Sequence, residues 1–591
     1  MATTIRVVMP GKGSVDIHPT RDLIASGGEG SVYKKGTDIV KLWHDPAFFR
    51  KSGIDQKIKL LSAISHPSII APIDIVQNSQ HETVGYYMSK APGDSLVKVF
   101  SNNIWQQSGF CITDATTLVS NMKSVVETAH GAGALLVDGN EMNWLYQKTT
   151  PYVIDVDSWE IGPYKATALM PSIRDWHTAG FDVNTDWFSW GIVTFQIFSG
   201  IHPYKGSHPD FKRGDLEQRM KANASVFDTR TKLNAAVRDL SEIPGGLLAW
   251  YEDLFQHGAR SAPPNNFMGI IPANSGHTKA FKTVRAGSTS VTHELQRIFP
   301  GTIRHVSSNG VVVYMDGFTL KAYDFVNKSE LTGLTSVEIE SLFTNQAVLL
   351  RYLKGLMLLS VTNNKIEGRH IQTSNSPTPK VMSTSVLALE ADRLLIIQNK
   401  AYAVNNVAMR GLTGLNIVMV GDRPVLAVDP AWPVLTQATR FYNGVGVMDG
   451  LGAKFIVVPE GLATHINLCP ELAQYAVIDA YARSSNFVML LALQVKTGEV
   501  HRLILYLEKA EYRIVSSTIT DATSLNFAIN EGGIGVGIFD DEHISVFNTK
   551  GAGTKIVQDS TSLTNLNLVA IGTNMLYYSG SDLYRVTLSN K

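Results

Sequence analysis

The chain has 591 residues, 44% of them hydrophobic, with 52 Lys and Arg balanced by 52 Asp and Glu. That length predicts two or more domains, and the zero formal charge excludes a global electrostatic pull on nucleic acid or anionic membrane. Two distant cysteines exclude a disulfide framework or a Cys-rich zinc site. The N-terminal MATTIRVVMPGKG lacks the apolar core of a signal peptide. The most apolar helical run, Trp187 to Ile201, is shorter than the roughly 20 residues of a bilayer span. A soluble, cytoplasmic protein that binds neither nucleic acid nor membrane is the expectation.

In chain order, Ile5 to Met9 reads as a strand. LIASGGEGSVYKKGTDIVKLW then reads as a hairpin with Gly27, Gly28 and Gly30 at its tip. Glycines let a backbone approach phosphate oxygens without side-chain clash, although ordinary hairpin turns use the same residues. The strand from Asp38 to Trp43 presents Lys41 among apolar neighbours. Pro46 to Ile64 reads as one helix, with Ile54, Ile58, Leu61 and Ile64 at helical spacing and His66-Pro67 ending it. VGYYMSKAPGDSL reads as a strand, a Pro-Gly turn and a capped helix start. Asp114 to Gly131 is a long helix carrying Leu118, Met122, Val125, Val126 and Ala129 on one face, and His130 reads as a satisfied helix-end histidine.

LLVDGNEMNWLYQKTTPYVIDVDSW, from Leu135 to Trp159, places Asp138, Asn143 and Asp155 on one strand–loop–strand run. A single Asp in a turn is usually a solvated turn former. Here the Asp-to-Asn step is five residues, and Asp155 follows the apolar strand Tyr152-Val153-Ile154. NTDWFSWGIVTFQIFSGIHPYKG follows, a buried-helix pattern holding Asp186, Trp187 and Gly191.

These ordered parts resemble the eukaryotic-like Ser/Thr protein kinase superfamily, in an atypical bacterial or phage-type form, over about residues 15–270. The resemblance implies ATP and Mg2+ as cofactors. It implies that Gly27, Gly28 and Gly30 cover the phosphates, that Val32 roofs the adenine, and that Lys41 pairs the phosphates. Met88, Lys90 and Ala91 fall at the hinge that bonds adenine. Asp138 takes the role of catalytic base, and Asn140 stands where the family has a catalytic-loop lysine. Asn143 and Asp155 become the metal ligands, with Asp157 either a second carboxylate or a cap. Asp186 anchors the catalytic-loop backbone, supported by Trp187 and Gly191, and Asp175 pairs with Arg260. The sequence departs from the family in three places. Ile39 replaces an alanine, Leu136-Val137 replace His-Arg, and the helix glutamate that should partner Lys41 falls at Lys57. Asp55 is the expected substitute partner.

Near Ala273 the composition turns polar and small, and residues 273–293 read as a linker. Short apolar strands separated by Gly, Asn and Asp turns then recur to the C-terminus. About 300 residues at roughly 40–45 per four-stranded unit gives about seven units and points to a β-propeller. A pair of large β-sandwiches is the alternative. The expected architecture is therefore multidomain. An α+β bilobal kinase fold (residues 1–272, with lobes 1–90 and 91–272) precedes an all-β, propeller-like domain (294–591). The expected function is ATP- and Mg-dependent phosphoryl transfer to Ser/Thr hydroxyls of a protein, with the β-domain recruiting substrate or partner. A pseudokinase scaffold working through protein contacts is the competing reading, and a kinase-like enzyme acting on a small molecule is a third.

Overall fold

The computed structural model describes residues 4–268 and, between 291 and 590, the strands with most of their connecting turns. The chain is multidomain and mostly β. Its N-terminal part opens with seven strands: β1 (Ile5–Met9), β2 (Gly13–Ile17), β3 (Leu23–Ser26), β4 (Gly30–Lys35), β5 (Asp38–Trp43), β6 (Asp74–Gln77) and β7 (Thr83–Ser89). They form one antiparallel sheet in the order β2-β1-β6-β7-β5-β4-β3. β5 lies between β4 and β7, and every residue of it after Asp38 is buried. Lys41 is therefore carried inward on a central strand instead of facing solvent from an edge.

The single helix expected over 46–64 is two helices, α1 (Pro46–Lys51) and α2 (Ile54–Ser62). Gly53, in the left-handed region at φ 77°, makes the break. After β7 the expected capped helix is instead a 3-10 turn over Leu96–Phe100. Ser101 then caps a separate helix, α3 (Asn102–Ser108), by accepting from the Asn103 N–H. α4 (Ile112–Gly131) and α5 (Val183–Ser199) form the core of the next layer. Every residue of α5 from Asp186 onward is buried. A side chain at Gly191 would lie 2.6 Å from Leu254 Cδ2, so glycine here lets the helix Gly245–Phe255 pack against α5.

Beyond residue 290 the described residues form five four-stranded antiparallel sheets, over 302–330, 347–390, 393–428, 527–556 and 567–590, and one eight-stranded sheet over 439–468 and 475–519, whose two antiparallel halves join through a single parallel pair, Leu468 with Glu511. The last unit takes its fourth strand from the start of the region: Val291–Pro300 pairs along Asp582–Asn590. This pairing ties the two ends of the region together. Of the expected linker, residues 273–290 lie outside the described residues, and 291–293 already belong to the strand Val291–Pro300.

The two parts touch at several points. Lys205 lies 4.0 Å from Glu499, Arg213 lies 3.3 Å from Asp541, and the Gly206 N–H donates to Asp521 at 3.2 Å. The turn at Gly498 rests on Ser172, so closely that a side chain there would fall 2.8 Å from the serine Cβ.

Candidate active site

β5 and the short turn Val156–Ser158 meet at Lys41. Its Nζ lies 2.6 Å from Asp155 Oδ1 and 2.9 and 3.0 Å from the two oxygens of Asp157. Asp157 also accepts from the Tyr86 hydroxyl at 2.7 Å and faces Trp43 Nε1 at 3.4 Å. Lys41 is 5% exposed and Asp157 2%. Burial disfavours the lysine's charge, but the two carboxylates outweigh it and hold the ammonium well above its ordinary pKa. The same attraction holds Asp157 below the usual carboxylate range against its burial. Burial raises Asp155, which keeps about a third of its side chain open to solvent.

The expected partner of Lys41, Asp55, is elsewhere: it accepts a hydrogen bond from the Thr83 hydroxyl at 3.1 Å. Asp45 is committed to capping α1. Lys57, at the position of the family's glutamate, is buried and donates to the Lys165 carbonyl at 3.1 Å. Burial pulls its pKa down to about 8. The reason for the correction is geometric: α2 turns its acid toward β7 and its lysine toward the 158–185 segment.

The run around Asp138 is held from below by α5. Asp186 accepts the N–H groups of Leu136 (2.8 Å) and Val137 (2.9 Å), and His130 Nε2 lies 2.9 Å from the same carboxylate. Trp187 packs edge-on against His130. His130 thus belongs to the anchor of this loop as well as to the end of α4. Val137 and Asp155 both adopt positive φ, 59° and 61°, a strained state for non-glycine residues that the surrounding bonds must enforce. Asp138 is 9% exposed, and its Oδ1 accepts from the Met170 N–H at 2.8 Å. Burial raises its pKa above the ordinary aspartate range.

Asn140 does not project into the cleft. It is 3% exposed, its Oδ1 accepts from the Met142 N–H at 2.8 Å, and its Nδ2 donates to the Asp138 backbone carbonyl at 3.5 Å. Its bonds hold the loop backbone, a correction to its expected place among the groups that act on substrate. Asn143 donates from Nδ2 to the Asp138 carbonyl at 2.9 Å, and Ile154 donates to the Asn143 carbonyl at 2.9 Å. These bonds set the amide and Asp155 on adjoining strands. The bidentate Arg260–Asp175 pair, at 2.5 and 2.9 Å, ties the end of the 158–185 segment to the helical layer.

At the other wall, the hairpin of β3 and β4 carries the glycines. A side chain at Gly30 would strike the Leu42 carbonyl at 2.6 Å, so this glycine serves the close pairing of β4 on β5. Gly28 faces open space and leaves room for a ligand. Val32, Ile39, Met88, Ala91, Tyr152 and Ile154 share one apolar cluster beneath the hairpin. Lys90 is exposed beyond the end of β7 and can offer the cleft only its backbone.

Glu29 was not anticipated from the sequence. It lies at the hairpin tip with its Oε2 4.0 Å from Lys41 Nζ and within reach of the Thr167 hydroxyl. Burial raises its pKa. The sequence signal was available: an acid between glycines, immediately before the strand that pairs with Lys41.

Among the described residues no group of three or more His, Cys, Asp or Glu is set to cage a metal ion. One carboxylate and one amide nevertheless suit magnesium, which keeps waters and takes most of its remaining ligands from phosphates. Asp155 Oδ1 is engaged by Lys41 and Asn143 Nδ2 by a carbonyl, which leaves Asp155 Oδ2 and Asn143 Oδ1 as oxygen donors. The donor set fits the ion. A cavity of about 620 Å3 lies away from Lys41, between α3 and the C-terminal β region. No described helix is long and apolar enough to cross a membrane. Compared with protein-family models and with curated protein sequences, the chain matches none.

Proposed function

We propose that the N-terminal part is a protein-kinase-like domain that transfers a phosphoryl group from Mg-ATP to Ser or Thr hydroxyls of a protein. The observation that carries this reading is the meeting of four groups from distant parts of the chain. Lys41 comes from the sheet, and Asp138, Asn143 and Asp155 come from the run that α5 anchors. The strand order β6-β7-β5-β4-β3 and the Asp175–Arg260 pair support the same fold. In the C-terminal region, successive antiparallel sheets, five four-stranded and one eight-stranded, and the pairing of the first strand with the last support a propeller that recruits substrate or partner. Two cysteines without a disulfide fit a cytoplasmic setting.

In this reading Lys41 fixes the phosphates by charge, and the open tip at Gly28 lets the backbone approach them. Magnesium, when bound, neutralises phosphate charge during transfer. Asp138, ionised and oriented by the Met170 N–H, accepts the proton of the incoming hydroxyl. The raised pKa of Asp138 makes it a stronger base than a solvated aspartate.

Thermal unfolding with ATP, with and without Mg2+, tests the reading. A ligand at about 100 times its Kd stabilises by about 2.7 kcal/mol. A Mg-dependent rise in Tm is expected, and no rise at millimolar Mg-ATP would contradict it. The scaffold reading is favoured by two contacts in the resting cleft: Met170 on Asp138 and Glu29 beside Lys41. A protein that binds nucleotide but transfers no phosphate would support it.

A further inference from the structure

The 155–157 turn holds two carboxylates with different surroundings. Asp157 is 2% exposed, and all its bonds go to the sheet: both oxygens to Lys41, one to Tyr86 on β7 and one to Trp43 on β5. Asp155 is a third open, touches Lys41 with Oδ1 alone, and leaves Oδ2 facing the cleft. An ion retaining water ligands needs an accessible oxygen. Asp157 has none to give without leaving Lys41 buried and half-neutralised.

We propose that Asp157 is the positioning residue for Lys41, taking the part that a helix acid plays elsewhere, and that Asp155 alone of the two is a metal ligand. The proposal rests on the phosphoryl-transfer reading. It makes the placement of the lysine independent of α2, whose acid bonds Thr83 and whose buried Lys57 faces the 158–185 segment. It also makes Lys41 and the metal ligand parts of one rigid turn, since Asp155 and Asp157 share the lysine's ammonium.

The test has two readouts on the full chain. The first is the Mg2+ concentration giving half of the ATP-induced rise in Tm. Asp155→Asn raises it about tenfold or more, as loss of a charged ligand should. Asp157→Asn leaves it within about twofold for a group that does not touch the ion. The second is a double-mutant cycle on Tm without ligand. Asp157→Asn lowers Tm by about 6–10 °C, because one partner of a buried ion pair remains. In a Lys41→Met background it lowers Tm much less. The double variant removes both members of the buried Lys41–Asp157 pair and leaves only Asp155, a third open to solvent, so it stays measurable if the single variant folds poorly.

A Mg2+ requirement that rises equally in Asp157→Asn and Asp155→Asn would overturn the proposal, as would fully additive losses in the cycle. If ATP does not stabilise the unmodified protein at any Mg2+ concentration, the phosphoryl-transfer reading fails and the division between the carboxylates fails with it. If ATP does stabilise it and the cycle is additive, only the role of Asp157 fails.

Discussion

Glu29 Oε2 lies 4.0 Å from Lys41 Nζ, at the tip of the hairpin that would cover a nucleotide's phosphates. A carboxylate there competes with phosphate for the lysine. Removing one like charge at this range is worth about 1 kcal/mol. Glu29→Gln is therefore expected to tighten ATP binding about fivefold, measured by calorimetric or fluorescence titration. Weaker binding in the variant would mean that Glu29 assists the ligand.

Asp138 sets the acid limb of activity. Burial raises its folded pKa above the ordinary 3.8, so it regains its proton at a higher pH than a solvated aspartate does. As the base must be ionised, kcat/KM should fall on acidification at a pH above 3.8. For stability the sign is opposite. The folded state resists ionisation, so this group's contribution weakens as pH rises from 3.8 to its raised value and is level above it. A pH–rate profile still flat at pH 3.8 would contradict the assignment.

Lys57 is expected to weaken the fold. Its folded pKa, about 8, lies below the unfolded 10.5, so the charged form is disfavoured at neutral pH. The penalty is fully present below about 8 and lifts as pH rises toward 10.5. Lys57→Met keeps the chain's length and removes the charge. It is expected to stabilise by about 1–3 kcal/mol at pH 7, read as a higher Tm. A lower Tm would show that the bond to the Lys165 carbonyl outweighs the burial cost.

Much of this site was legible locally. Lys41 stands out because a lysine in a run of β-formers is conspicuous, and the strand occupies Asp38–Trp43 as the pattern requires. Asp186 was legible through the resemblance, which implies an aspartate here that anchors the loop backbone, and it accepts the Leu136 and Val137 N–H groups. The partner of Lys41 was not. Spacing along α2 pointed to Asp55, but Gly53 breaks the helix and Asp55 turns to Thr83. The actual partner is 116 residues away and is found only when the sheet closes over the turn. The run of short antiparallel strands beyond residue 290 was legible in the alternation of apolar runs with Gly, Asn and Asp turns. The pairing of Val291–Pro300 with the last strand lies across nearly 300 residues and has no local signal.

Gly498 couples the two parts of the molecule. It has φ 71°, and an added Cβ would fall 2.8–2.9 Å from the Cβ, N and Oγ atoms of Ser172. Gly498→Ala therefore meets both backbone strain and a clash with the 158–185 segment. A destabilisation of about 1–3 kcal/mol is expected, with faster proteolysis between residues 158 and 185. Unchanged proteolysis would show that the β-domain does not hold this segment.

The most direct measurement is transfer of labelled phosphate from Mg-ATP to protein hydroxyls by the unmodified chain and by Asp138→Ala. Ser- or Thr-linked label is predicted with the unmodified chain. The variant should lose about 10²–10⁴-fold in rate while keeping its Tm within a few degrees. Equal labelling by the two proteins, or none by either in the presence of Mg2+, would contradict the reading of this cleft as a phosphoryl-transfer site.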